Sequence, residues 1–380
     1  MTEKIRVLHV IDKFTMDGVN PSSCSRLFAD WIPLHDSSRF QVDVAGLRPR
    51  DAAGEFLEKQ GITVHYIQEG KFSPKNITAI ADLAARGDYD ILHLHGYSSA
   101  NFGRLAARKI GIRSIVHEHA ILPVQPHQYV ADWLLRNRTD VAVAVSNAVK
   151  AFMIHGRSIP EEKIEVIWNG IDLEHFQNVP AERVQHFREQ HGLPEKGTII
   201  GTVTRLREEK GNAYLLEAAA EVLRHEPEAT FVLIGDGPLR DTLQQQARDL
   251  GIAEKVLFTG FVSDIQAALA ALDIVVIPSL REGFGLALVE AMAAGKPVVA
   301  TKVGGMIELA RHERSALMVY EADSPALAQA ILRLLQEPEL AQQLADQARE
   351  DSGRFSIGEN VRSLEALYER LVPAKSGVTA

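Results

Sequence analysis

Short apolar segments alternate with helical patterns along almost the whole chain, and this alternation limits the possible folds more than any other feature. Thirteen segments have the length and the β-branched, apolar composition of buried strands. They are IRVLHVI, FQVDVAGL, ITVHYI, DILHLHG, RSIVHEH, DVAVAVS, KIEVIWN, TIIGTVTR, TFVLIGDG, KVLFTGF, DIVVIPS, PVVATKVG and ALMVY. Strands this apolar need cover on both faces, and the helical segments between them supply it. The sequence therefore predicts an α/β protein with parallel, doubly wound sheets.

The length of the chain and one polar segment predict two domains. A chain of 380 residues exceeds what one hydrophobic core usually serves. The strand pattern is interrupted by QNVPAERVQHFREQHGLPEKG, where proline, glycine and charge dominate. We predict a first domain over residues 1–175 and a second over 176–356, with a last helix at about 357–373 packing back on the first. Two Rossmann-like domains of this kind are expected to face a central cleft, the usual place for a ligand.

Charge and cysteine content exclude some classes of function. The net charge of −9 argues against a nucleic-acid partner, because binders of the phosphate backbone carry a basic excess. The single cysteine, Cys24, cannot form an internal disulfide, which fits a reducing compartment. The start, MTEKIRVLHVIDKF, is too interrupted for a signal peptide, and no segment reaches the roughly 20 apolar residues that span a bilayer. We expect a cytoplasmic protein.

The segment SLREGFGLALVEA, from Ser279 to Ala291, has the composition of an anion site. It follows the strand DIVVIP, and its glycines Gly283 and Gly285 let the backbone approach a ligand at the start of an apolar helix. Glu282 and Glu290 repel a phosphate but accept hydrogen bonds from sugar hydroxyls. We predict that the two glutamates bracket a phosphate and contact the sugars of a sugar nucleotide. The alternative is that Glu290 is an ordinary helix-surface residue.

Two cations follow an earlier strand in GTVTRLREEKG. Arg205 ends the strand, and Lys210 lies five residues later, before a glycine and a helix. An arginine fork and a lysine point charge at the end of one strand can neutralise a diphosphate. Solvation at the surface is the alternative, which suits Arg207 better than Arg205.

Histidines end two strands of the first domain. HLHG contains His93 and His95, and VHEHA contains His117 and His119, in each case at alternate positions that face the same way. A metal site is one interpretation, but strand ends in separate segments do not give a diagnostic ligand spacing. We favour hydrogen-bonding roles and expect no metal.

The ordered series of motifs resembles a known enzyme family. VIWNGIDLEHF, GTVTRLREEKG, FVLIGDGPLRDTL, VLFTGFVSDI and DIVVIPSLREGFGLALVEAMAAGKPVVATKVGGMIEL together are similar to the family-four retaining glycosyltransferases of the GT-B fold, the glycosyl transferases group 1. The resemblance covers nearly the whole chain and is densest from about Thr139 to Leu335. Two glutamates with seven residues between them are its signature.

The resemblance implies a role for each matching residue of the second domain. Arg205 and Lys210 would contact the donor diphosphate, and Glu282 would hold hydroxyls of the transferred sugar while Glu290 holds the nucleotide ribose. Four consecutive residues would present backbone groups to the diphosphate: Gly283, Phe284, Gly285 and Leu286. Phe261 and Val262 would lie near the base.

In the first domain the resemblance is weaker. His119 aligns best with a histidine beside the reacting sugar, and His117 is the second choice. We assign His95 and His117 to acceptor binding and count His119, with Arg205, Lys210 and Glu282, among the catalytic residues.

The first loop departs from the family pattern. Family members commonly carry a Gly-Gly loop near both substrates, but TMDGVNPSSCSRL keeps only Gly18, with Asp17 in place of the other glycine. Asp17 and Asn20 are candidates for binding acceptor hydroxyls, and helix capping is the alternative. Gly18 is expected at the donor.

The resulting prediction is a retaining, metal-independent glycosyltransferase without a cofactor. We expect a nucleotide-sugar donor, UDP-linked by preference, and a sugar, lipid-linked or small-molecule acceptor, as in bacterial-type polysaccharide, glycolipid or small-glycoside biosynthesis. Three other functions stay open: a GT-B nucleotide-sugar epimerase, a non-catalytic sugar-nucleotide-binding subunit, and, from the partial fingerprint IGDGPLR, a dinucleotide-binding oxidoreductase. Four basic residues offer either peripheral contact with the inner membrane face or a solvated helix face: Arg104, Arg108, Lys109 and Arg113.

Overall fold

Thirteen parallel strands form two sheets in the computed structural model, which describes residues 3–15, 20–70 and 72–372. The first sheet contains β1 (Ile5–Ile11), β2 (Phe40–Gly46), β3 (Val64–Tyr66), β4 (Ile91–His95), β5 (Arg113–Glu118), β6 (Val141–Ala144) and β7 (Ile164–Val166). The second contains β8 (Ile199–Val203), β9 (Thr230–Ile234), β10 (Val256–Gly260), β11 (Ile274–Ile277), β12 (Val298–Thr301) and β13 (Leu317–Val319). Each strand lies within one of the predicted apolar segments, which confirms the predicted α/β class.

The helices belong to two compact units, the first over Met1–Gly170 with Ile357–Ala380 and the second over Ile171–Ser356. The first unit has α1 (Ser23–Trp31), α2 (Ala52–Lys59), α3 (Lys75–Arg86), α4 (Tyr97–Ile110), α5 (Pro126–Leu135) and α6 (Asn147–Arg157). The second has α7 (Leu173–Gln177), α8 (Ala181–Gln190), α9 (Asn212–His225), α10 (Arg240–Asp249), α11 (Ile265–Ala270), α12 (Leu286–Ala293), α13 (Met306–Leu309), α14 (Ser324–Gln336) and α15 (Pro338–Ser352). The chain then returns to the first unit with α16 (Ile357–Leu371).

Apolar strands and amphipathic helices build the core of each unit. In the second unit, Phe231 and Leu233 of β9 pack in one cluster with Leu215 of α9 and with Leu327 and Ile331 of α14. In the first unit, α16 is fixed to the body by polar contacts, since Glu365 accepts hydrogen bonds from the Asp36 backbone at 2.8 Å and lies 3.2 Å from the His35 ring. None of the helices in the described part of the chain combines the length and the apolar character needed to cross a membrane.

Each sheet has a point where the direction of strand addition reverses. The first sheet runs in the order β3-β2-β1-β4-β5-β6-β7 and the second in the order β10-β9-β8-β11-β12-β13. The reversals therefore fall between β1 and β4 and between β8 and β11. Loops that leave the carboxyl ends of such strand pairs diverge and open a crevice, which is the usual ligand position in this class of sheet.

Candidate functional site

The loops after β8 and β11 meet at the switch point of the second sheet. The backbone carbonyl of Glu209 accepts hydrogen bonds from the N–H groups of Leu280 at 2.9 Å and Arg281 at 3.3 Å. These bonds join the two segments that the sequence singled out, although about 70 residues separate them in the chain. The predicted cations and the predicted glutamate turn therefore belong to one loop cluster.

Lys210 and Glu282 form an ion pair within this cluster. The Lys210 Nζ lies 2.5 Å from Glu282 Oε1, and both side chains are largely buried. The Ser279 hydroxyl donates to the same carboxylate oxygen at 2.9 Å, and the buried Thr301 hydroxyl donates to the Ser279 carbonyl at 2.5 Å. Lysine, serine and threonine thus hold the Glu282 carboxylate in a defined orientation. A charged pair this well supported suits a binding site whose geometry must be fixed in advance.

Arg205 is a further cation of the loop after β8, five residues before Lys210. Its side chain is exposed, and no acidic partner pairs with it within the described ranges. Arg207 differs, because it lies 3.9 Å from Glu209. The loop after β8 therefore offers one cation engaged by Glu282 and one available to an anion.

The turn before α12 leaves a helix N-terminus for an anion. Gly285 is the N-cap residue, at φ 110°, and no side chain caps the helix in the described structure. A Cβ at Gly285 would approach Met306 Cγ to 2.8 Å, so the position needs glycine for its space as well as its backbone angle. Phe284 is buried against Phe355, with ring centroids 5.9 Å apart. The Phe284 side chain thus anchors the turn, and backbone N–H groups at the start of α12 remain for a ligand.

The other predicted donor residues lie on neighbouring elements of the same unit. Glu290 is half-buried on α12, and the choice between ribose binding and an ordinary helix-surface position stays open. Leu286 is the first residue of α12 and is half-buried, and Gly283 is buried in the preceding turn. After β10, Phe261 is 45% exposed while Val262 is buried. The position of Phe261 and Val262 near a base stays a prediction.

Gly304 and Gly305 complete the loop cluster, and the sequence reasoning did not assign them to the site. A Cβ on Gly304 would overlap the carbonyl oxygen of Glu282, and one on Gly305 would lie 2.5 Å from the carbonyl oxygen of Gly283. The Gly-Gly pair after β12 therefore lets that loop pack directly on the backbone of the glutamate turn. The sequence signal that could have identified this pair is the Gly-Gly dipeptide, which follows a predicted strand in KVGGMIEL.

Substitution of Gly304 by alanine tests this close approach. Its φ of 49° disfavours other residues and its Cβ would overlap Glu282, so we expect the free energy of unfolding to fall by about 2–3 kcal/mol. Gly251→Ala is the matched control, since Gly251 has a φ of 71° and no atom within 4 Å of its Cβ position. The control should lose only about 1–2 kcal/mol from its backbone angle. Urea unfolding monitored by circular dichroism measures both, and equal losses would contradict the packing argument.

The first loop of the first unit is only partly described. Asp17 and Gly18 lie outside the described residues, and Asn20 lies just before α1. Ser22, and not Asn20, is the N-cap residue of α1 and accepts from the Ser25 N–H at 3.2 Å, while the capping alternative for Asp17 lies outside the described residues. Acceptor binding by Asp17 and Asn20 stays a prediction.

At the switch point of the first sheet, a protein carboxylate already occupies the helix N-terminus. Asp12 accepts hydrogen bonds from the backbone N–H groups of Ser98 at 3.1 Å and Ser99 at 2.6 Å at the start of α4. Its negative charge satisfies these donors and repels a second anion. By contrast, the start of α12 has no such cap, so phosphate binding is favoured in the second unit.

Five histidines and one tyrosine of the first unit form a continuous hydrogen-bonded chain. Its members in order are His119, His95, His9, Tyr368, His93 and His117. The successive separations between their ring nitrogens and the tyrosine oxygen are 2.9, 2.9, 3.3, 2.8 and 3.0 Å. A neutral imidazole has one donor and one acceptor nitrogen, so the tautomer of each ring dictates that of the next. We name this set the histidine chain.

The histidine chain presents one residue at its outer end. His95 and His117 are each 1% exposed, whereas His119 is half-buried. Two ring nitrogens of the chain lack a partner among the described residues, His119 Nδ1 and His117 Nε2. His119 is therefore the member best placed to meet a ligand, with His95 behind it at 2.9 Å. The contacts predicted between an acceptor and His95 or His117 stay predictions.

Burial keeps the histidine chain neutral. It lowers the pKa of His9, His93, His95 and His117 well below the usual value of 6.5, and neighbouring imidazoles lower it further. Burial lowers the pKa of His119 to about 4. Near neutral pH these rings are hydrogen-bonding groups without charge.

The histidine chain also contains the groups that invited a metal interpretation. His9, His93 and His95, and likewise His95, His117 and His119, have ring nitrogens within 4.8 Å of one another. The rings are stacked, however, with His117 and His119 only 21° from parallel at 4.2 Å. The lone pairs of stacked rings lie in nearly parallel planes, and the nitrogens of these rings face one another, as His95 Nδ1 and His119 Nε2 do at 2.9 Å, rather than a shared metal position. The geometry therefore favours hydrogen bonding over metal ligation.

Comparison with known proteins identifies the family. The family described as Glycosyl transferases group 1 matches residues 184–351, and the one described as Glycosyltransferase Family 4 matches residues 35–175. The protein named as glycosyltransferase EpsD of Bacillus subtilis is 30% identical over 317 residues, which cover 80% of this chain and 83% of that protein. The two matched regions contain all the predicted site residues except those of the first loop.

Two further relatives are informative. The UDP-Gal:alpha-D-GlcNAc-diphosphoundecaprenol alpha-1,3-galactosyltransferase of Escherichia coli is 28% identical over 313 residues, covering 79% of this chain and 80% of that protein. The crystal structure of Anabaena Alr3699/HepE in complex with UDP has 25% identity and a TM-score of 0.85, over 96% of this chain and 100% of that one. The resemblance seen in the motifs is thereby confirmed, as is the expected pair of Rossmann-like sheets. This chain belongs to glycosyltransferase family 4 and has the GT-B fold.

Proposed function

We propose that this protein transfers a sugar from a UDP-sugar to an acceptor hydroxyl with retention of the anomeric configuration. The observation that carries the proposal is the Lys210–Glu282 ion pair at the switch point of the second sheet, beside the uncapped start of α12. The UDP complex of the Anabaena relative supports the choice of base. Its complex with UDP-glucose supports a hexose as the sugar.

Each group of the loop cluster has a role in this reaction. Arg205, Lys210 and the N–H groups at the start of α12 stabilise the diphosphate as it leaves with the electron pair of the C1–O bond. The Glu282 carboxylate, oriented by Lys210 and Ser279, accepts hydrogen bonds from hydroxyls of the transferred sugar. Glu290 holds the ribose, and Phe261 with Val262 lies at the base.

Bond formation needs no nucleophile from the protein. The acceptor oxygen attacks C1 on the face that the diphosphate leaves, and its proton passes to an oxygen of the departing phosphate. Retention follows, because the new bond forms on the side of the broken one. His119 is our candidate for hydrogen bonding to the reacting sugar, because it is the half-buried end of the histidine chain. Gly18 stays a donor candidate, and Asp17 and Asn20 stay acceptor candidates.

We also propose that transfer needs no metal ion. The diphosphate charge would be balanced by Arg205, Lys210 and the helix dipole, which are the groups that replace a divalent cation in such a site. Retention of activity in excess EDTA is the expected result.

The acceptor is proposed to be a sugar, a small molecule or a lipid-linked sugar. The Escherichia coli relative is named for a diphosphoundecaprenol-linked acceptor, which supports the lipid-linked option. We place the reaction in the cytoplasm or at the inner membrane face, because a single cysteine suits a reducing compartment.

A donor screen tests the proposal. Purified protein is incubated with a panel of UDP- and GDP-sugars, with and without sugar, polyol and polyprenyl-diphosphate-sugar acceptors, and nucleoside diphosphate release is measured. We expect release from UDP-sugars that rises with one acceptor class, and an α-linked product by proton NMR. A product whose anomeric configuration is opposite to that of the donor would contradict retention. Conversion of donor without an acceptor would indicate an epimerase, and binding without turnover would indicate a non-catalytic subunit.

A further inference from the structure

Helix α5 has its polarity reversed relative to an ordinary surface helix. Of its residues only Asp132 is buried, at 4% exposure. Its apolar residues Trp133 and Leu134 are 48% and 62% exposed. A surface helix normally buries its apolar stripe and exposes its charges. In the described structure α5 does the opposite, so its apolar side lacks the cover that such a stripe usually has.

Buried ion pairs hold α5 in this orientation. Asp132 lies 3.1 Å from Arg104 of α4 and 3.2 Å from Arg157 of α6, and Arg157 also pairs with Glu118 at 3.3 Å. Removing one partner from such a network leaves a buried charge without compensation, so rotation of the helix is costly. Arg104 is 2% exposed and therefore does not belong to the exposed basic face that the sequence suggested for α4. The network fixes which side of α5 points outward.

Exposed apolar residues are concentrated on α5 and in the loop before it. We name this group the α5 patch, and its members are Leu122, Tyr129, Val130, Trp133 and Leu134. On α5, the residues Val130, Trp133 and Leu134 lie one, four and five positions after Tyr129. Residues at these spacings lie on one side of a helix. Five of the eleven exposed large apolar residues in the described part of the chain belong to it. Scattered apolar residues are normal on a surface, but a contiguous group indicates a binding partner.

The charges next to the α5 patch are basic. Arg136 and Arg138 follow α5 directly, and the Arg136 guanidinium lies 4.3 Å from the centroid of the Trp133 ring. Between residues 121 and 138 the only acidic residue is Asp132, which is buried and paired. Asp140, two residues after Arg138, is half-buried and pairs with Arg113 at 3.2 Å, so the charges on and directly after α5 are mainly basic in a chain of net charge −9. The partner is therefore expected to be anionic next to an apolar interior.

We infer that the α5 patch docks the protein on an anionic phospholipid bilayer. Tyrosine and tryptophan rings lie preferentially at the boundary between headgroups and acyl chains, and leucine and valine enter the acyl region. Arg136 and Arg138 would pair with lipid phosphates at the headgroup level. This inference goes beyond the proposed transfer reaction and does not depend on the donor. Docking would present the first unit to acceptors carried by lipids.

Vesicle binding tests the inference. The full chain is sedimented with vesicles of phosphatidylglycerol and phosphatidylcholine, and with vesicles of phosphatidylcholine alone. We expect binding to the anionic vesicles only. The variant Trp133→Ser/Leu134→Ser should lower the partition coefficient at least about tenfold, and Arg136→Glu/Arg138→Glu should lower it about 10- to 30-fold. Leu34→Ser is the matched control, because Leu34 is 52% exposed in the same unit but lies outside the α5 patch, and it should bind as the unchanged protein does.

A second measurement locates the contact. Of the three tryptophans, Trp31 is buried, Trp168 is half-buried with a buried Nε1, and Trp133 is 48% exposed, so quenching of tryptophan fluorescence by brominated acyl chains should come mainly from Trp133. Trp133→Phe should keep binding to anionic vesicles and lose most of that quenching.

Three outcomes would overturn the inference. They are absence of binding to anionic vesicles, unchanged binding by both double variants, and a dimer of the full chain that disappears in Trp133→Ser/Leu134→Ser without any vesicle binding. The last outcome would assign the α5 patch to self-association. Titration of the same samples with UDP measures donor binding separately. A failure of the membrane inference is thereby distinguished from a failure of the proposed reaction.

Discussion

Replacing Lys210 with alanine is expected to lower kcat about 100- to 1,000-fold, the usual cost of removing a preorganised group that stabilises transition-state charge. Lys210 is the cation that the structure fixes most firmly in the loop cluster, through its 2.5 Å contact with Glu282. Negative charge grows on the departing diphosphate during transfer, and Lys210 is prepared to meet it. The loss should therefore appear in kcat as well as in donor affinity. Nucleoside diphosphate release at saturating donor measures it.

The same loop supplies the control. Arg207 is a cation three residues before Lys210, and it lies 3.9 Å from Glu209. Arg207→Ala should change kcat by less than about threefold, since we give it no role at the diphosphate. Lys210→Ala also leaves Glu282 without its cation, so adding Glu282→Gln should restore part of the donor affinity while kcat stays low. Equal activity of Lys210→Ala and Arg207→Ala would contradict the assignment.

Mild acid should loosen the first unit selectively. Four histidines of the histidine chain are buried and neutral: His9, His93, His95 and His117. Their folded pKa values lie well below the value of about 6.5 expected for the unfolded chain. Above pH 6.5 neither state binds these protons, and the stability is fully present. Below pH 6.5 the unfolded state gains protons that the folded state cannot take up, so stability falls with pH.

The expected loss is large because four groups act together. The pKa shifts of the four histidines have the same direction, so their contributions to the loss of stability add as the pH falls below 6.5.

Hydrogen exchange with mass spectrometry resolves this acid effect by unit. After correction for intrinsic exchange, amides of β4 and β5 should lose protection from pH 7.5 to 5.5, while those of β9 and β12 should lose much less. Uniform loss in both units, or no loss in β4 and β5, would contradict the role given to the histidine chain.

Much of the second unit was open to prediction because its signals are local. The apolar strands β8 and β11 and the turn Gly283 to Gly285 follow from short-range patterns. Parallel pairing then brings their carboxyl ends together at the switch point. The sequence could predict that Lys210 and Glu282 lie near each other, but not that they form an ion pair. The role of Gly304 was missed, because its need for glycine arises from the backbone of Glu282 in another loop.

The first unit was harder because its important contacts are long-range. Strand alternation predicted that His93 and His95 face the same way, and the structure confirms it. Nothing local indicated Tyr368 as the link between His9 and His93, since it comes from the last helix. The reversed polarity of α5 was also hidden, because Asp132 looks like a surface residue until its partner Arg104 is known. Sequence periodicity reports which side of a helix is apolar, but not whether that side faces inward.

The most direct test of the account is the affinity for a nucleoside diphosphate compared with the monophosphate of the same base. We propose that Lys210, Arg205 and the start of α12 hold the diphosphate of the donor. Calorimetric titration of the unchanged protein should show UDP binding at least about tenfold more tightly than UMP, and Lys210→Ala should remove most of that difference. Equal affinities of the unchanged protein for UDP and UMP, or a full preference for UDP in Lys210→Ala, would contradict the central claim.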